Sequence, residues 1–258
     1  MYDQNGNWQK TGGMNAARLN DFEKYKKNHG NKFVGNFSLN IDILKGLSFK
    51  STFGADYNFG RYSSYYPVFY VSQTERNEES SVNETRSSGI SWVWSNVANY
   101  NFNINKIHSF NLMAGTEASY GSSESISATA YDVPENEYMH YISAAKSNIY
   151  QASSGQSRSS IFSTFFRLNY TFKNRYLLTA TIRSDASSRF AKENRVGYFP
   201  SMSLGWNLKE EAFLKNVQPL SQLKLRTGWG QVGNQSSIGI GEYLSLVDNN
   251  LRYVLGDA

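Results

Sequence analysis

Between Phe33 and Gln231, apolar and polar side chains alternate one by one in eight segments, joined by links that run short, long, short, long. In the second segment Leu47, Phe49, Ser51, Phe53, Ala55, Tyr57 and Phe59 alternate with Ser48, Lys50, Thr52, Gly54, Asp56 and Asn58. Side chains of a strand point to opposite faces with a period of two, so one face is apolar and the other wet. The pattern predicts strands at about 33–43, 47–59, 90–104, 109–120, 160–172, 175–183, 198–208 and 222–233. Tight turns on one side and long loops on the other predict an all-β chain, the antiparallel wall of a transmembrane β-barrel.

The two faces differ in charge. No Lys, Arg, Asp or Glu falls on the apolar face of any segment, where an Arg or Lys at the bilayer midplane would cost about 2–4 kcal/mol. The wet face carries Asp42, Lys50, Asp56, Glu117, Arg167, Arg183, Lys224 and Arg226. Aromatics gather near strand ends: Tyr57 and Phe59, Trp92 and Trp94, Tyr100 and Phe102, Tyr120, Tyr170, Phe172 and Tyr176, Tyr198, and Trp206. Such rings suit a membrane–water interface, half in lipid and half in water. A soluble β-sandwich also alternates, but has no reason to segregate link lengths or to ring both edges with aromatics. Residues 60–88, 121–159, 184–197 and 234–258 read as loops, the last with partial strands at Tyr243–Val247 and Leu251–Leu255. A short helical link is expected at about 209–221, its start favoured by Glu210 and Glu211. Pro200 cannot donate to a ladder and is expected to mark a bulge or weak pairing.

Composition sharpens this picture. The 258 residues hold 15% aromatics, yet mean hydropathy is −0.54, as expected when apolar residues sit singly between polar ones. No stretch approaches the ~18 apolar residues of a membrane helix, which leaves strands of about 9–11 residues as the route across a bilayer. There is no cysteine, so disulfides and thiolate chemistry are excluded. Net charge is +5, without the basic helix or Lys/Arg run of a nucleic-acid footprint. No basic head, apolar middle and cleavage site precede residue 30, so the chain is expected to be a fragment of a secreted precursor.

Catalytic chemistry finds no support. Gly228-Trp-Gly-Gln-Val-Gly233 matches a dinucleotide pattern but lies inside a strand, without the following helix that cradles phosphate. Close backbone packing explains its glycines better. The three His are scattered, so neither metal nor cofactor is expected and the chain does not read as an enzyme. Arg167, Arg183, Lys224 and Arg226 could meet a plug or line a wet wall, although hydration and mutual pairing account for them more simply. Tyr65, Tyr66, Tyr131, Tyr138 and Tyr141 could stack on sugar rings or touch a partner from the outer loops, with loop packing as the simpler reading.

From Arg167 to Gln235 several stretches in order resemble the SusC/RagA family of TonB-linked outer-membrane transporters. They are Arg167-Leu-Asn-Tyr-Thr-Phe-Lys-Asn-Arg-Tyr-Leu-Leu-Thr-Ala-Thr-Ile-Arg183, Asp185-Ala-Ser-Ser-Arg-Phe190, Tyr198-Phe-Pro-Ser-Met-Ser-Leu-Gly-Trp206, Glu211-Ala-Phe-Leu214, and Leu223-Lys-Leu-Arg-Thr-Gly-Trp-Gly-Gln-Val-Gly-Asn-Gln235. Residues 33–160 share the strand rhythm with weaker motifs such as Gly46-Leu-Ser-Phe-Lys50. The family usually has Gly where Ala186 stands, and often Gly where Ala191 stands. The resemblance implies a slice of a plugged barrel of roughly 22 strands, without its plug domain. It further implies import of an oligosaccharide or peptide across a Gram-negative outer membrane, with a TonB complex and a SusD-like lipoprotein as partners. The rival readings are a self-contained eight-stranded barrel with a structural or adhesion role, and a soluble binding module.

Overall fold

The structure, a computed structural model, describes residues 25–70, 73, 76–146 and 150–242. In chain order the strands are β1 (Lys27–Leu44), β2 (Leu47–Tyr66), β3 (Phe69–Tyr70), β4 (Arg76–Asn77), β5 (Ser81–Ile104), β6 (His108–Tyr131), β7 (Tyr150–Phe172), β8 (Tyr176–Ser187), β9 (Val196–Asn207) and β10 (Lys224–Gly230). The short β3 and β4 pair with each other; the remaining eight form one sheet in the order β1-β2-β5-β6-β7-β8-β9-β10. Neighbours in sequence are therefore neighbours in the sheet, as hairpin connections require. Strands β1 and β10 end that order with one partner each, so among the described residues the eight strands do not pair into a closed ring. Among the described residues no helix is long and apolar enough to cross a membrane. The partial strands expected at Tyr243–Val247 and Leu251–Leu255 lie outside the described residues, as does most of 1–31.

The short links show why register is so regular. Asn105 and Lys106 both have positive φ (51° and 57°), as do Lys173 and Asn174 (52° and 56°), the signature of two-residue type I′ turns. Each is closed by a backbone bond, Ile107 N–H to Ile104 at 3.2 Å and Arg175 N–H to Phe172 at 2.9 Å. In the first turn Gly46 adopts φ 86°, and any Cβ there would run into the Asn101 carbonyl oxygen, so only glycine fits. From the second turn the register runs unbroken, Phe172 opposite Tyr176 through Ile161 opposite Ser187.

Three expectations need correction. Much of 60–88 and 121–159 is strand: β2 runs on to Tyr66, β5 starts at Ser81, β6 reaches Tyr131 and β7 starts at Tyr150. Backbone pairing continues there although the apolar alternation stops, because both faces of those extensions are polar enough to hide the period. The 209–221 link is a short 3-10 turn (Leu208–Glu210) followed by turns, not a helix with acidic residues at its start. Pro200 makes no bulge: β8 and β9 stay in register from Tyr176 opposite Trp206 to Ala186 opposite Val196. Its carbonyl accepts from Gln231 N–H at 3.0 Å, on the β10 side, just beyond the last Gly230–Ser201 pair. In an antiparallel strand a residue's N–H and C=O point to the same neighbour, so the missing N–H falls where the β10 ladder has already ended.

By contact clustering the chain divides into two units. One holds residues 36–54, 92–120 and 158–258. Here the apolar face is exposed: Phe53, Trp94, Phe166 and Leu204 are 43%, 49%, 44% and 47% accessible rather than gathered into a core. At the short-turn ends of the strands the rings form a row, with centroids 4.9 Å apart for Phe102–Phe110, 4.8 Å for Phe110–Tyr170, 6.2 Å for Phe172–Tyr176 and 6.3 Å for Tyr176–Trp206. A second row, Phe53–Trp92–Tyr120, has spacings of 6.2 and 6.0 Å. Along β9, the eight steps from Tyr198 to Trp206 rise roughly 20 Å at about 3.3 Å per residue and a tilt near 40°, comparable with the ~25 Å apolar band of an outer-membrane barrel. Two polar residues of this face, Ser51 and Asn96, satisfy each other: Trp94 Nε1 donates to Ser51 Oγ (3.0 Å), which donates to Asn96 Oδ1 (2.8 Å).

The other unit holds residues 1–35, 55–91 and 121–157. Its small core is Tyr65, Val82, Ala130 and Val133, against which Tyr25, Ile142 and Ala145 pack. Ser80 ties down the loop after β6, donating from Oγ to the Val133 carbonyl (2.7 Å) and accepting from Val133 N–H (2.8 Å). That loop is ordered further by Asn136, whose side chain accepts from Tyr138 N–H at 2.9 Å.

Candidate functional site

The polar face of the first unit is a cross-strand lattice. Thr179 Oγ1 donates to Asn169 Oδ1 (2.8 Å), Asn169 Nδ2 to Asn111 Oδ1 (2.9 Å), and Asn111 Nδ2 to Asn101 Oδ1 (2.6 Å). One row of side chains thus links β8, β7, β6 and β5. Asn and Thr satisfy one another here without any net charge.

Nearer the long-loop end of β8 the lattice becomes ionic. Arg183 donates from Nη2 to Glu117 (3.0 Å) and Ser163 (2.8 Å) and from Nε to Asp185 (2.6 Å). Its guanidinium lies 5.7 Å from the Phe165 ring centre. Phe165 reaches that position because Gly115 has no side chain: a Cβ there would stand 2.6 Å from the ring and 2.7 Å from the Asn96 carbonyl oxygen. Strands β6, β7 and β8 are therefore pinned through one side chain. With two carboxylates and a hydroxyl satisfied, this Arg is a strut rather than an open anion site.

Beside the strut lies a cavity of about 340 Å³ lined by Ile161, Arg183, Asp185, Phe190, Arg195 and Phe199, with Asn234 and Gln235. It brings together two motifs more than 40 residues apart in the chain. Ser187 Oγ donates to Gln235 Oε1 (2.6 Å), and Arg189 Nη1 donates to the carbonyls of Ile238 (2.7 Å) and Gln235 (3.3 Å). Ser187 is 5% accessible. The loop motif Asp185–Phe190 and the segment following β10 thus latch onto each other.

In the second unit Tyr65 and His140 stack face to face at 3.7 Å and 11°, with Tyr25 edge-on to both. They border a cavity of about 440 Å³ with Arg61, Glu135, Glu137 and Tyr141. Arg61 donates to Glu84 at 2.8 Å. Burial, and secondarily Lys27, hold the His140 imidazole below its usual titration range. Tyr65, Arg61, Val82 and Ala130 have the strand parity of Tyr57, Phe59 and Ile90, so this cavity belongs to the apolar-face side of those strands, not the polar-face side.

The candidate tyrosines accordingly separate. Tyr65 is buried and committed to its stack, and Tyr65, Tyr66 and Tyr131 lie in strands rather than loops. Tyr66 is edge-on to Phe69 at 5.8 Å. Tyr66 and Tyr131 have polar-face parity, while Tyr138 is 87% and Tyr141 53% accessible. Tyr65 and Tyr141 line one cavity. Of the cations, Arg183 is the strut and Arg167 donates to Thr181 Oγ1 at 3.2 Å. Lys224 and Arg226 flank Gly205 with Thr179 and Ser203, in a shallow groove of about 250 Å³. Sequence reasoning placed Glu117 on the wet face but missed Phe165, Ser163 and Asp185 as its companions. Their odd-numbered parity was readable; which of them share a row depends on register. Among the described residues no three His, Asp or Glu side chains converge as metal ligands would.

No family model matches the chain. It is 54% identical over 103 residues to the TonB-dependent receptor SusC of Bacteroides thetaiotaomicron, covering 39% of this chain and 10% of that one. It is 28% identical over 225 residues to a TonB-dependent receptor of Formosa agariphila, covering 84% of this chain and 22% of the relative. Among solved structures, that of the RagAB peptide transporter superposes with a TM-score of 0.78 at 25% identity, over 91% of this chain and 26% of the other. The chain thus spans about a tenth to a quarter of the length of the proteins it matches.

Proposed function

We propose that the chain is a length of barrel wall from a TonB-dependent receptor of the SusC/RagA type and that it frames an importer in a Gram-negative outer membrane. The observation that carries this reading is the exposed apolar face between two aromatic rows, with Phe53, Trp94, Phe166 and Leu204 all open to the surroundings. Such a face is costly in water and is at home in lipid. The opposite face, with its Asn ladder and the Arg183 strut, supplies a wet, stiff lining past which a hydrophilic cargo can move.

The cargo in this proposal is a peptide or oligosaccharide, with a SusD-like lipoprotein as surface partner. The support is that the superposable RagAB structure is a peptide transporter and that the SusC relative is a TonB-dependent receptor. Energy coupling belongs to the TonB complex acting through a plug outside this chain. Tyr66 and Tyr131, on the polar-face side at the long-loop end, are the candidate cargo or plug contacts; Tyr138 and Tyr141 are candidates for partner contact. Lys224 and Arg226 are the cations open to a plug. The eight-stranded self-contained barrel is disfavoured because, among the described residues, β1 and β10 each have one neighbour and do not pair with each other.

The test is uptake of labelled peptides and oligosaccharides by cells carrying the complete receptor, with and without TonB and a SusD-like lipoprotein. Import that requires both supports the proposal. A receptor that partitions into the aqueous phase without detergent, or whose deletion leaves all uptake unchanged, refutes it.

A further inference from the structure

Three links at the short-turn end of the sheet are two or three residues long, but the link between β9 and β10 runs from Leu208 to Leu223. Its conformation is fixed from within. Lys209 Nζ donates to the carbonyls of Leu214 (3.1 Å), Lys215 (3.2 Å) and Val217 (2.8 Å), tying the whole bend to one ammonium. Backbone bonds from Leu214 and Lys215 N–H to the Glu211 carbonyl, at 3.0 and 2.9 Å, close the turn. The Glu211 carboxylate then accepts from Tyr176 Oη (2.8 Å), Trp206 Nε1 (3.1 Å) and Arg175 Nη1 (3.1 Å).

Tyr176 and Trp206 are a cross-strand pair on the apolar face, in the aromatic row at the short-turn end. A carboxylate bound to both polar tips places the link on that side of the sheet, at the level where the apolar band meets water. Yet this braced link leaves Phe213 68%, Leu223 42% and Val217 40% accessible. A rigid loop that exposes a phenyl ring to water has no compensating gain; the same ring placed at a lipid headgroup boundary does.

We propose that the 208–223 link is an interfacial membrane anchor: Phe213, with Val217, inserts at the boundary of the inner leaflet's acyl chains and continues the aromatic belt. The occupant is lipid because Glu211, two residues before Phe213, is bonded to the belt residues Tyr176 and Trp206, which holds the exposed side chains of the link beside the apolar face. Glu211 is the positioning residue, and Lys209 holds the bend in shape. The inference rests on the membrane reading of the wall, and its test is arranged to fail separately from that reading.

In the complete receptor reconstituted into phospholipid bilayers, a spin label is placed in turn at Phe213→Cys, Phe166→Cys on the wall, and Asn174→Cys on the tight turn between β7 and β8. Collision with oxygen, which enriches in lipid, is compared with collision with a water-soluble nickel complex. At Phe213 the oxygen preference should resemble that of Phe166 and contrast with the nickel preference at Asn174. If Phe166 favours oxygen while Phe213 favours nickel, the anchor is wrong and the wall stands. If Phe213 is shielded from both probes, protein and not lipid covers it, and the anchor is again wrong. If Phe166 itself favours nickel, the membrane reading has failed. Adding Glu211→Ala should shift the Phe213 label towards nickel; unchanged immersion would overturn the positioning role.

Discussion

Single atoms decide several features of this wall. Gly115 is occupied, in effect, by the ring of Phe165, which in turn lies under Arg183. Gly115→Ala should therefore displace the ring and loosen the strut. Overpacking of this kind costs about 1–3 kcal/mol, to be read from urea unfolding of the receptor in lipid. The double variant with Phe165→Leu should recover only the part of that loss due to the ring, because the new methyl still meets the Asn96 carbonyl oxygen. Glu211 offers a second test, through pH. Hydrogen bonds from Tyr176 and then Trp206, with Arg175 adding its charge, hold its carboxyl below the usual range. A depressed folded-state value means the stabilisation is fully present above the ordinary carboxylate pKa of about 4.3 and is lost as pH falls through the lower folded value. A spin label at Phe213 should stay immobilised from neutral pH down to that region and gain mobility only below it. Loss of order already at pH 6 would exclude Glu211 as the titrating group.

At the scale of the strand, position parity sets the consequence of a substitution. Phe166 and Arg167 are adjacent in β7 but occupy opposite faces. Phe166→Arg should cost about 2–4 kcal/mol for a charge near mid-membrane. Arg167→Ala, which loses one side-chain bond to Thr181, should stay within about 1 kcal/mol. Comparable costs for both would show that the faces are not lipid and water. The strand is also where the sequence pattern and the fold part company. Alternation located the part of each strand with an apolar face and stopped near the aromatic rows. The ladder continues: Asn83 Nδ2 bonds Thr129 Oγ1 at 2.9 Å and Thr85 and Ser127 hydroxyls lie 2.9 Å apart, pairing β5 to β6 well above Trp92 and Tyr120. Ser, Thr and Asn on those extensions carry no hydropathy signal, although they pair as well as any apolar residue.

At the largest scale, the informative fact is that among the described residues the sheet order ends in two strands with one neighbour each. Amides of β1 that point away from β2 have no partner among the described residues. In the complete receptor, hydrogen exchange should nonetheless protect both parities of Lys27–Leu44, because neighbouring wall strands would cover that edge. Alternating fast and slow amides along β1 would mean that the edge stays open and that the slice reading is wrong.

Residue order by itself marked the alternating part of each strand, its two faces and the places of the tight turns, but not how far the strands run. A side-chain period of two and the cost of charge in lipid act locally, and Gly46, Lys106 and Asn174 report turn geometry on the spot. It also placed Arg183 and Glu117 on the wet side. Which wet residues meet was decided only in three dimensions, since a row across β6, β7 and β8 depends on three registers at once. The same holds for the Ser187–Gln235 latch, for the burial of Tyr65 against His140, and for Glu211, whose partners Tyr176 and Trp206 become neighbours only when β8 and β9 pair. Local chemistry writes the pattern, and long-range pairing chooses the contacts, because hydrogen bonds between distant side chains leave no period in the chain.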